Sequence, residues 1–202
     1  MFYNSRMKDD RFEKKLNIAT GAANHEKDDA NHSRYEPTGY AVLERLAGSG
    51  YVGRGDVLVD YGCGKGRVGF YMSHAVGCRS IGVEYDPRLC AAAAENLERF
   101  SGPRELVSFV CENAETFEPR EANCFYFFNP FSVKILMSVL GRIYGAYYEE
   151  PRPMKLFFYY ALDEYLAYLM TDDMLQYAGE IDCRDIFHNE DEKERIVIFS
   201  IG

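Results

Sequence analysis

The sequence predicts an α/β fold built on a seven-stranded, mostly parallel sheet with helices on both faces and an antiparallel last strand. Three observations carry this. Short apolar runs alternate with helix-period segments through five strands, an order that makes a parallel sheet through right-handed crossovers. The first run opens into a glycine-rich turn, Asp60-Tyr61-Gly62-Cys63-Gly64-Lys65-Gly66-Arg67. The last two runs, 179–187 and 195–201, are joined by the charged turn 188–194 with no helical segment between them, so they form a hairpin.

Taken in order, residues 1–34 are polar, mixed in charge and without a convincing apolar period, which predicts a partly ordered N-terminal arm ahead of a domain spanning 35–202. Between 38 and 47, Tyr40, Leu43, Leu46 and Ala47 stand at helical spacing and stop at Gly48-Ser49-Gly50. Val57-Leu58-Val59 reads as a buried parallel strand. Val68, Tyr71, Met72, Ala75 and Val76 share one face of the next helix. Ser80–Glu84 is the second strand, and Asp86-Pro87 supplies an N-cap and a first-turn proline for an Ala-rich helix running to Phe100. Strands at 106–111, 124–128 and 154–160 and helices at 132–144 and 162–171 continue the alternation.

With 202 residues, 47% of them hydrophobic and with 14 Phe and 16 Tyr, the chain can bury one full core. Its net charge of −9, with no concentrated run of Lys and Arg, repels a polyanion, so nucleic acid is an unfavourable partner. Cys63, Cys78, Cys90, Cys111, Cys124 and Cys183 form no C-x-x-C pair and no cluster with histidine, which argues against a structural metal. Several lie in apolar runs, where a thiol packs as a small hydrophobe, so the expectation is buried, reduced cysteines in a cytoplasmic protein. His25, His32, His74 and His188 are scattered and read as surface or structural. The N-terminal residues are charged rather than apolar, and no stretch approaches the ~18 apolar residues of a membrane span.

The glycine-rich turn carries the chemistry. Gly62, Gly64 and Gly66 let the backbone turn sharply and approach a ligand at the carboxyl end of the first strand, where open α/β sheets bind ligands. Glu84 follows Asp60 by 24 residues, near the ~20-residue offset at which an acid reaches ribose hydroxyls. The spacing is G-x-G-x-G, because Arg67 stands where a dinucleotide fingerprint has its third glycine. A ligand with a sulfonium and an amino acid tail, and no pyrophosphate, suits an acid such as Asp60 opening the loop.

At these residues the chain resembles the class I, Rossmann-like S-adenosylmethionine-dependent methyltransferases, from about Thr38 to Gly202. Asp60 to Gly66, with Cys63 inside it, is similar to their first motif; Glu84, next to Tyr85, resembles their ribose-binding acid. Asn113-Ala114 resembles the adenine-contacting position after strand three, although many members carry an acid there. Asn129-Pro130-Phe131 is similar to their fourth motif but has a single proline, and the closing hairpin matches their antiparallel seventh strand. Tyr35-Glu36-Pro37-Thr38 resembles a Tyr-x-Pro element of some small protein-lysine methyltransferases. The resemblance implies S-adenosylmethionine as cofactor, bound by Asp60, Gly62, Cys63, Gly64, Gly66, Glu84, Tyr85, Asn113, Ala114 and Asn129.

Displacement at a sulfonium needs alignment of the acceptor and exclusion of water, with no covalent residue. Asn129 and the Pro130 carbonyl are therefore expected to present a small-molecule or protein acceptor, with N-methylation favoured, while Phe131 or Tyr35 walls the pocket. The other reading is that Asn129-Pro130 only turns the chain into the next helix and that Tyr35 only packs. At the level of function, the alternative is a catalytically silent cofactor-binding module or partner subunit.

Overall fold

A computed structural model describes residues 11–21, 35–187 and 191–202. Seven strands form one sheet in the order β3-β2-β1-β4-β5-β7-β6. They are β1 (Val57–Tyr61), β2 (Arg79–Glu84), β3 (Val107–Cys111), β4 (Cys124–Phe127), β5 (Met154–Tyr159), β6 (Gln176–Asp182) and β7 (Arg195–Ile201). The first five are mutually parallel, and β7 runs antiparallel between β5 and β6. The helices are α1 (11–16), α2 (Tyr40–Gly48), α3 (Arg67–Ala75), α4 (Pro87–Arg99), α5 (Val133–Glu149), α6 (Asp163–Leu169) and the single turn α7 (Arg184–Phe187).

The period-2 alternation of the strands divides the core into two layers. Val57, Val59, Phe125, Phe127, Leu156, Phe158 and Phe199 pack with α5 and α6 on one face. Leu58, Tyr126, Phe157, Ile196 and Ile198 pack with α1, α2 and α3 on the other. Both faces of the central strands are covered, which is why β1 and β4 are buried throughout and read as continuous apolar runs. At the start of α4, Asp86 accepts the Arg88 N–H at 2.8 Å and Pro87 occupies the first turn, as its sequence predicts.

The strand placed at 179–187 is instead β6 at Gln176–Asp182, followed by α7. Asp182 ends the strand by accepting the Arg184 N–H on its own side chain, at 3.0 Å. As an edge strand β6 is exposed along most of its length and carries an irregularity between Tyr177 and Gly179, so it lacks the apolar alternation that marks an inner strand. Helix α5 runs five residues beyond the predicted 144, to Glu149.

Residues 11–21, within the stretch read as an arm, are packed onto the body. Leu16, Ile18 and Thr20 are buried. The Ser101 N–H donates to the Leu16 carbonyl at 2.9 Å, and the Ala19 N–H to Asn96 Oδ1 at 2.8 Å. Residues 1–10 and 22–34, and with them His25 and His32, lie outside the described residues, as does His188. Among the described residues no helix is long and apolar enough to cross a membrane.

The expectation of six reduced, buried cysteines is corrected at one pair. Cys63, Cys78, Cys124 and Cys183 are buried and free, but Cys90 of α4 and Cys111 of β3 form a disulfide. Their separation of 21 residues matches no local pattern; the parallel register brings the end of β3 beside the end of β2, from which α4 begins.

Candidate cofactor site

A cavity opens at the carboxyl ends of β1, β2 and β4, where the strand order reverses about β1. Its lining draws on the glycine turn, on the start of α4, on the loop after β3 and on the loop after β4. Asp60, Gly62, Cys63, Glu84, Tyr85, Asn113, Ala114, Pro130, Phe131 and Tyr35 all line it. Among the residues singled out by sequence, Gly64, Gly66 and Asn129 are not in the lining.

The glycines act by letting other groups come close. Gly62 has φ 74°, and a Cβ there would meet Pro130 Cβ at 2.4 Å, so the loop after β4 lies directly on the glycine turn. Gly64 has φ 55°, and a Cβ there would meet the Tyr35 ring at 2.1 Å. Tyr35 is thereby laid across the turn, and its hydroxyl donates to the Thr20 carbonyl at 2.6 Å.

Asp60 is 3% exposed, and its Oδ2 is buried without a hydrogen-bond partner. Burial, reinforced by the neighbouring negative charge of Glu84, pushes its pKa up to about 8. Glu84 is 6% exposed and differs in kind, because its Oε2 accepts the Gly64 N–H at 2.9 Å and its Oε1 accepts those of Tyr85 at 2.9 Å and Asp86 at 3.0 Å. Burial raises its pKa and the three amides oppose that rise. A carboxylate has about four acceptor sites, so Glu84 keeps one for an incoming hydroxyl rather than the two that its strand-end position suggests.

The loop after β3 is set by Asn113, whose Oδ1 accepts the Glu115 N–H at 2.9 Å. That turn presents Asn113 and Ala114 to the cavity opposite Leu89. Asn129, in contrast, has φ 43°, and its amide is taken up by the loop after β5: Nδ2 donates to the Tyr160 carbonyl at 2.7 Å and Oδ1 accepts the Leu162 N–H at 3.3 Å. The side chain expected to present an acceptor or contact the cofactor here braces the loops after β4 and β5 together. Phe131 is held in place by its carbonyl, which accepts the buried Tyr165 hydroxyl at 2.5 Å.

Sequence reasoning missed Glu13 and Thr20, which with Arg67 secure this turn from behind. Arg67, 3% exposed, donates from Nε to Thr20 Oγ1 at 2.7 Å and from Nη1 to the Thr38 carbonyl at 3.1 Å, and pairs with Glu13 at 3.4 Å. Glu13 also accepts the Thr20 hydroxyl at 2.5 Å and the Tyr40 hydroxyl at 2.9 Å. Asn96 donates to the Lys65 carbonyl at 3.1 Å and to that of Ala19 at 3.3 Å. The available signal was Phe12 and Leu16, four apart on one helical face.

Behind the lining residue Phe128 lies an aromatic and acidic cluster. Phe128 packs on Tyr159 with centroids 4.8 Å apart. The Tyr160 hydroxyl donates to Asp191 and that of Tyr159 to Glu194, each at 2.7 Å. Glu36 is exposed in the lining. The hydrogen bond to Asp191, with burial and the negative charges of Asp191, Glu194 and Glu36, pushes the Tyr160 phenol up to about 12. Among the described residues no cluster of His, Cys, Asp and Glu could hold a metal ion.

Comparison with known proteins agrees with this geometry. A family profile described as a methyltransferase domain matches residues 58–140, from β1 into α5. The ribosomal protein L11 methyltransferase of Xylella fastidiosa is 36% identical over 80 residues, which are 40% of this chain and 23% of that protein. The chain thus spans less than a quarter of the length of the curated relatives it matches. Among solved structures, an RNA methyltransferase from Salinibacter ruber in complex with S-adenosyl-L-homocysteine superposes with a TM-score of 0.55 at 22% identity, covering 82% of this chain and 94% of that one. The magnesium protoporphyrin IX methyltransferase of Synechocystis PCC 6803, with bound S-adenosylmethionine, gives a TM-score of 0.58 at 13% identity over 81% of this chain and 77% of that one. At these identities the likeness is one of fold.

Proposed function

We propose, on the premise that this chain belongs to the class I, Rossmann-like S-adenosylmethionine-dependent methyltransferases, that it transfers a methyl group to an amine nitrogen of a protein side chain or small molecule. The observation that carries the cofactor reading is the buried, partnerless Oδ2 of Asp60, a residue that lines the cavity beside Gly62. A carboxylate oxygen held away from water without a donor costs free energy unless a ligand supplies one, and an ammonium is the fitting donor. Asp60 would hold the cofactor's amino group, the remaining site on Glu84 Oε2 one ribose hydroxyl, and Asn113 and Ala114 the adenine edge. When bound, S-adenosylmethionine supplies a methyl group on a sulfonium for direct displacement.

The chain's own residues then have three tasks. Tyr35, Pro130 and Phe131 exclude water from the cavity mouth, and the brace from Asn129 to Tyr160 and Leu162 fixes the position of that wall. Glu36 and Phe128 in the lining, with Tyr160 beside Phe128 and Asp191 bonded to the Tyr160 hydroxyl, favour a cation, since the carboxylates attract it and the ring faces stabilise it. The same carboxylates and the net charge of −9 oppose a phosphate backbone. A cofactor-binding module without transfer is the second reading, favoured by the fact that the Asn129 amide is already bonded within the chain.

The test is calorimetric titration with S-adenosylhomocysteine, followed by methyl transfer from labelled S-adenosylmethionine to lysine-containing peptides, small amines and RNA. Binding with transfer to amines is expected. No binding would remove the cofactor reading; transfer to RNA alone would remove the amine reading; binding with transfer to nothing would favour the silent module.

A further inference from the structure

We infer that Cys90 and Cys111 form a reversible thiol–disulfide site that sets the affinity of the cavity for its cofactor. Cys90 lies in the first turn of α4, where its N–H donates to the Asp86 carbonyl at 2.9 Å. Cys111 is the last residue of β3 and pairs in register with Glu84. The bond between them therefore ties together the two segments that line the far end of the cavity. Arg88 and Leu89 immediately precede one cysteine, and Glu112, Asn113 and Ala114 immediately follow the other. Between them stands the main chain of Glu84, whose carbonyl accepts the Glu112 N–H at 2.9 Å.

Accessibility separates this pair from the other cysteines. Cys111 is exposed and Cys90 half-buried, whereas Cys63, Cys78, Cys124 and Cys183 are all buried. Burial pushes the Cys78 thiol up to about 11 and those of Cys124 and Cys183 up to about 12, so they hold little thiolate and offer no path to a reagent. The reduced state is also provided for, because Cys90 Sγ lies 3.3 Å from the Glu84 carbonyl oxygen, within reach of a thiol S–H.

The exchange partner is a low-molecular-weight dithiol or disulfide. On reduction, one thiolate of the dithiol attacks the exposed Cys111 sulfur, the Cys90–Cys111 bond breaks, and Cys90 leaves as a thiolate that takes up a proton. The second thiolate of the reagent then closes on the first and releases Cys111, which is protonated in turn. Two electrons pass from the dithiol to the protein, the reagent leaves as a disulfide, and the two protons end on Cys90 and Cys111. Oxidation by a small disulfide runs the same steps backwards. In the bonded state the ribose and adenine walls are held at a fixed spacing. In the dithiol state α4 and the loop after β3 are free to separate, so ordering them falls on the ligand.

The inference rests on the cavity being the S-adenosylmethionine site, and the experiment separates the two. The full chain is equilibrated with oxidised glutathione or with dithiothreitol, its accessible thiols are alkylated and mapped by mass spectrometry, and each form is titrated with S-adenosylhomocysteine. The expected result is alkylation of Cys90 and Cys111 only in the reduced form, with affinity about fivefold weaker there. A Cys90→Ser/Cys111→Ser variant should bind with the weaker affinity in both media. Free Cys90 and Cys111 thiols after oxidation, or equal affinity in the two forms, would overturn the redox control while leaving the cofactor site intact. Absence of binding in both forms would overturn the cofactor reading and this inference with it.

Discussion

The two halves of the cavity are built on opposite principles. At the carboxyl ends of β1 and β2 the polar groups are left in need of a ligand: Asp60 has a partnerless buried oxygen and Glu84 keeps an unused acceptor site. Behind the lining at the ends of β4 and β5 the polar groups satisfy one another, Asn129 with the Tyr160 carbonyl and Leu162 amide, Tyr160 with Asp191 and Tyr159 with Glu194. The first half is a receptor for defined groups. The second is a rigid wall that can select an acceptor only by shape and charge. A backbone receptor of fixed chemistry next to a wall of variable chemistry lets one fold serve many acceptors.

The sharpest way to break this contrast is at Asp60. Replacing it with Asn keeps the volume but removes the charge that would meet the cofactor's ammonium, and S-adenosylhomocysteine affinity should fall about 100-fold, in line with the several kcal/mol typical of a broken buried pair. The same change should stabilise the ligand-free protein. Because burial raises the folded pKa of Asp60 to about 8, far above that of an unfolded aspartate, the folded state prefers the protonated acid. Its contribution is fully present at low pH and is lost as pH rises towards 8. Asn129 offers no such effect. Chemical denaturation at pH 8.5 should therefore show Asp60→Asn more stable than wild type by a few kcal/mol; a loss of stability would mean that Asp60 already has a partner.

The same titration predicts a pH dependence. Pairing with an ammonium needs the ionised carboxylate, so affinity should weaken as pH falls below about 8, by up to about tenfold per unit, and Asp60→Asn should abolish this slope. Calorimetry between pH 6 and 8 checks both; an unchanged slope in the variant would assign it elsewhere.

Gly64 tests whether the wall is built against the receptor. A Cβ there strikes the Tyr35 ring, so Gly64→Ala should displace Tyr35 and weaken cofactor affinity about tenfold. Adding Tyr35→Ala should recover part of that loss, the remainder reflecting strain at φ 55°. If the double variant is no better than the single, the ring is not what the methyl group meets.

How much of this was legible in the sequence follows the same division. The inner strands, the glycine turn, Asp60 and Glu84 could be read because parallel strands buried on both faces are continuous apolar runs and because backbone approach requires glycine at fixed spacing. β6 was misplaced because an exposed edge strand has no apolar alternation to read. The packing of residues 11–21 was obscured because a single pair, Phe12 and Leu16, is too short a period to stand out, and because the buried Glu13–Thr20–Arg67 contact joins positions far apart in the chain. At Asn129 the motif does not show the bonds that the side chain makes. Residue type and position agree with an acceptor-presenting amide, yet the left-handed backbone of both Asn129 and Tyr160 turns the ends of β4 and β5 into each other's partners.

That brace can be separated from a chemical role. Asn129→Ala leaves the Tyr160 carbonyl and the Leu162 amide without their partner, so stability should fall by about 1–2 kcal/mol while S-adenosylhomocysteine affinity changes less than about threefold. A variant as stable as wild type that binds cofactor but transfers no methyl group would restore the acceptor-presenting role and blur the contrast between the two halves.

The smallest effect belongs to the rim, where solvent weakens each charge. Glu36→Gln should raise KM for a cationic amine about two- to fourfold and leave cofactor affinity unchanged, because Glu36 is exposed while Asp60 and Glu84 are buried. The increment should shrink as salt is raised and be absent for a neutral acceptor of similar shape, since a carboxylate at a cavity mouth acts through its field and not through a fixed hydrogen bond. If the variant affected neutral and cationic acceptors equally, or if salt left the wild-type KM unchanged, the wall would select by shape alone.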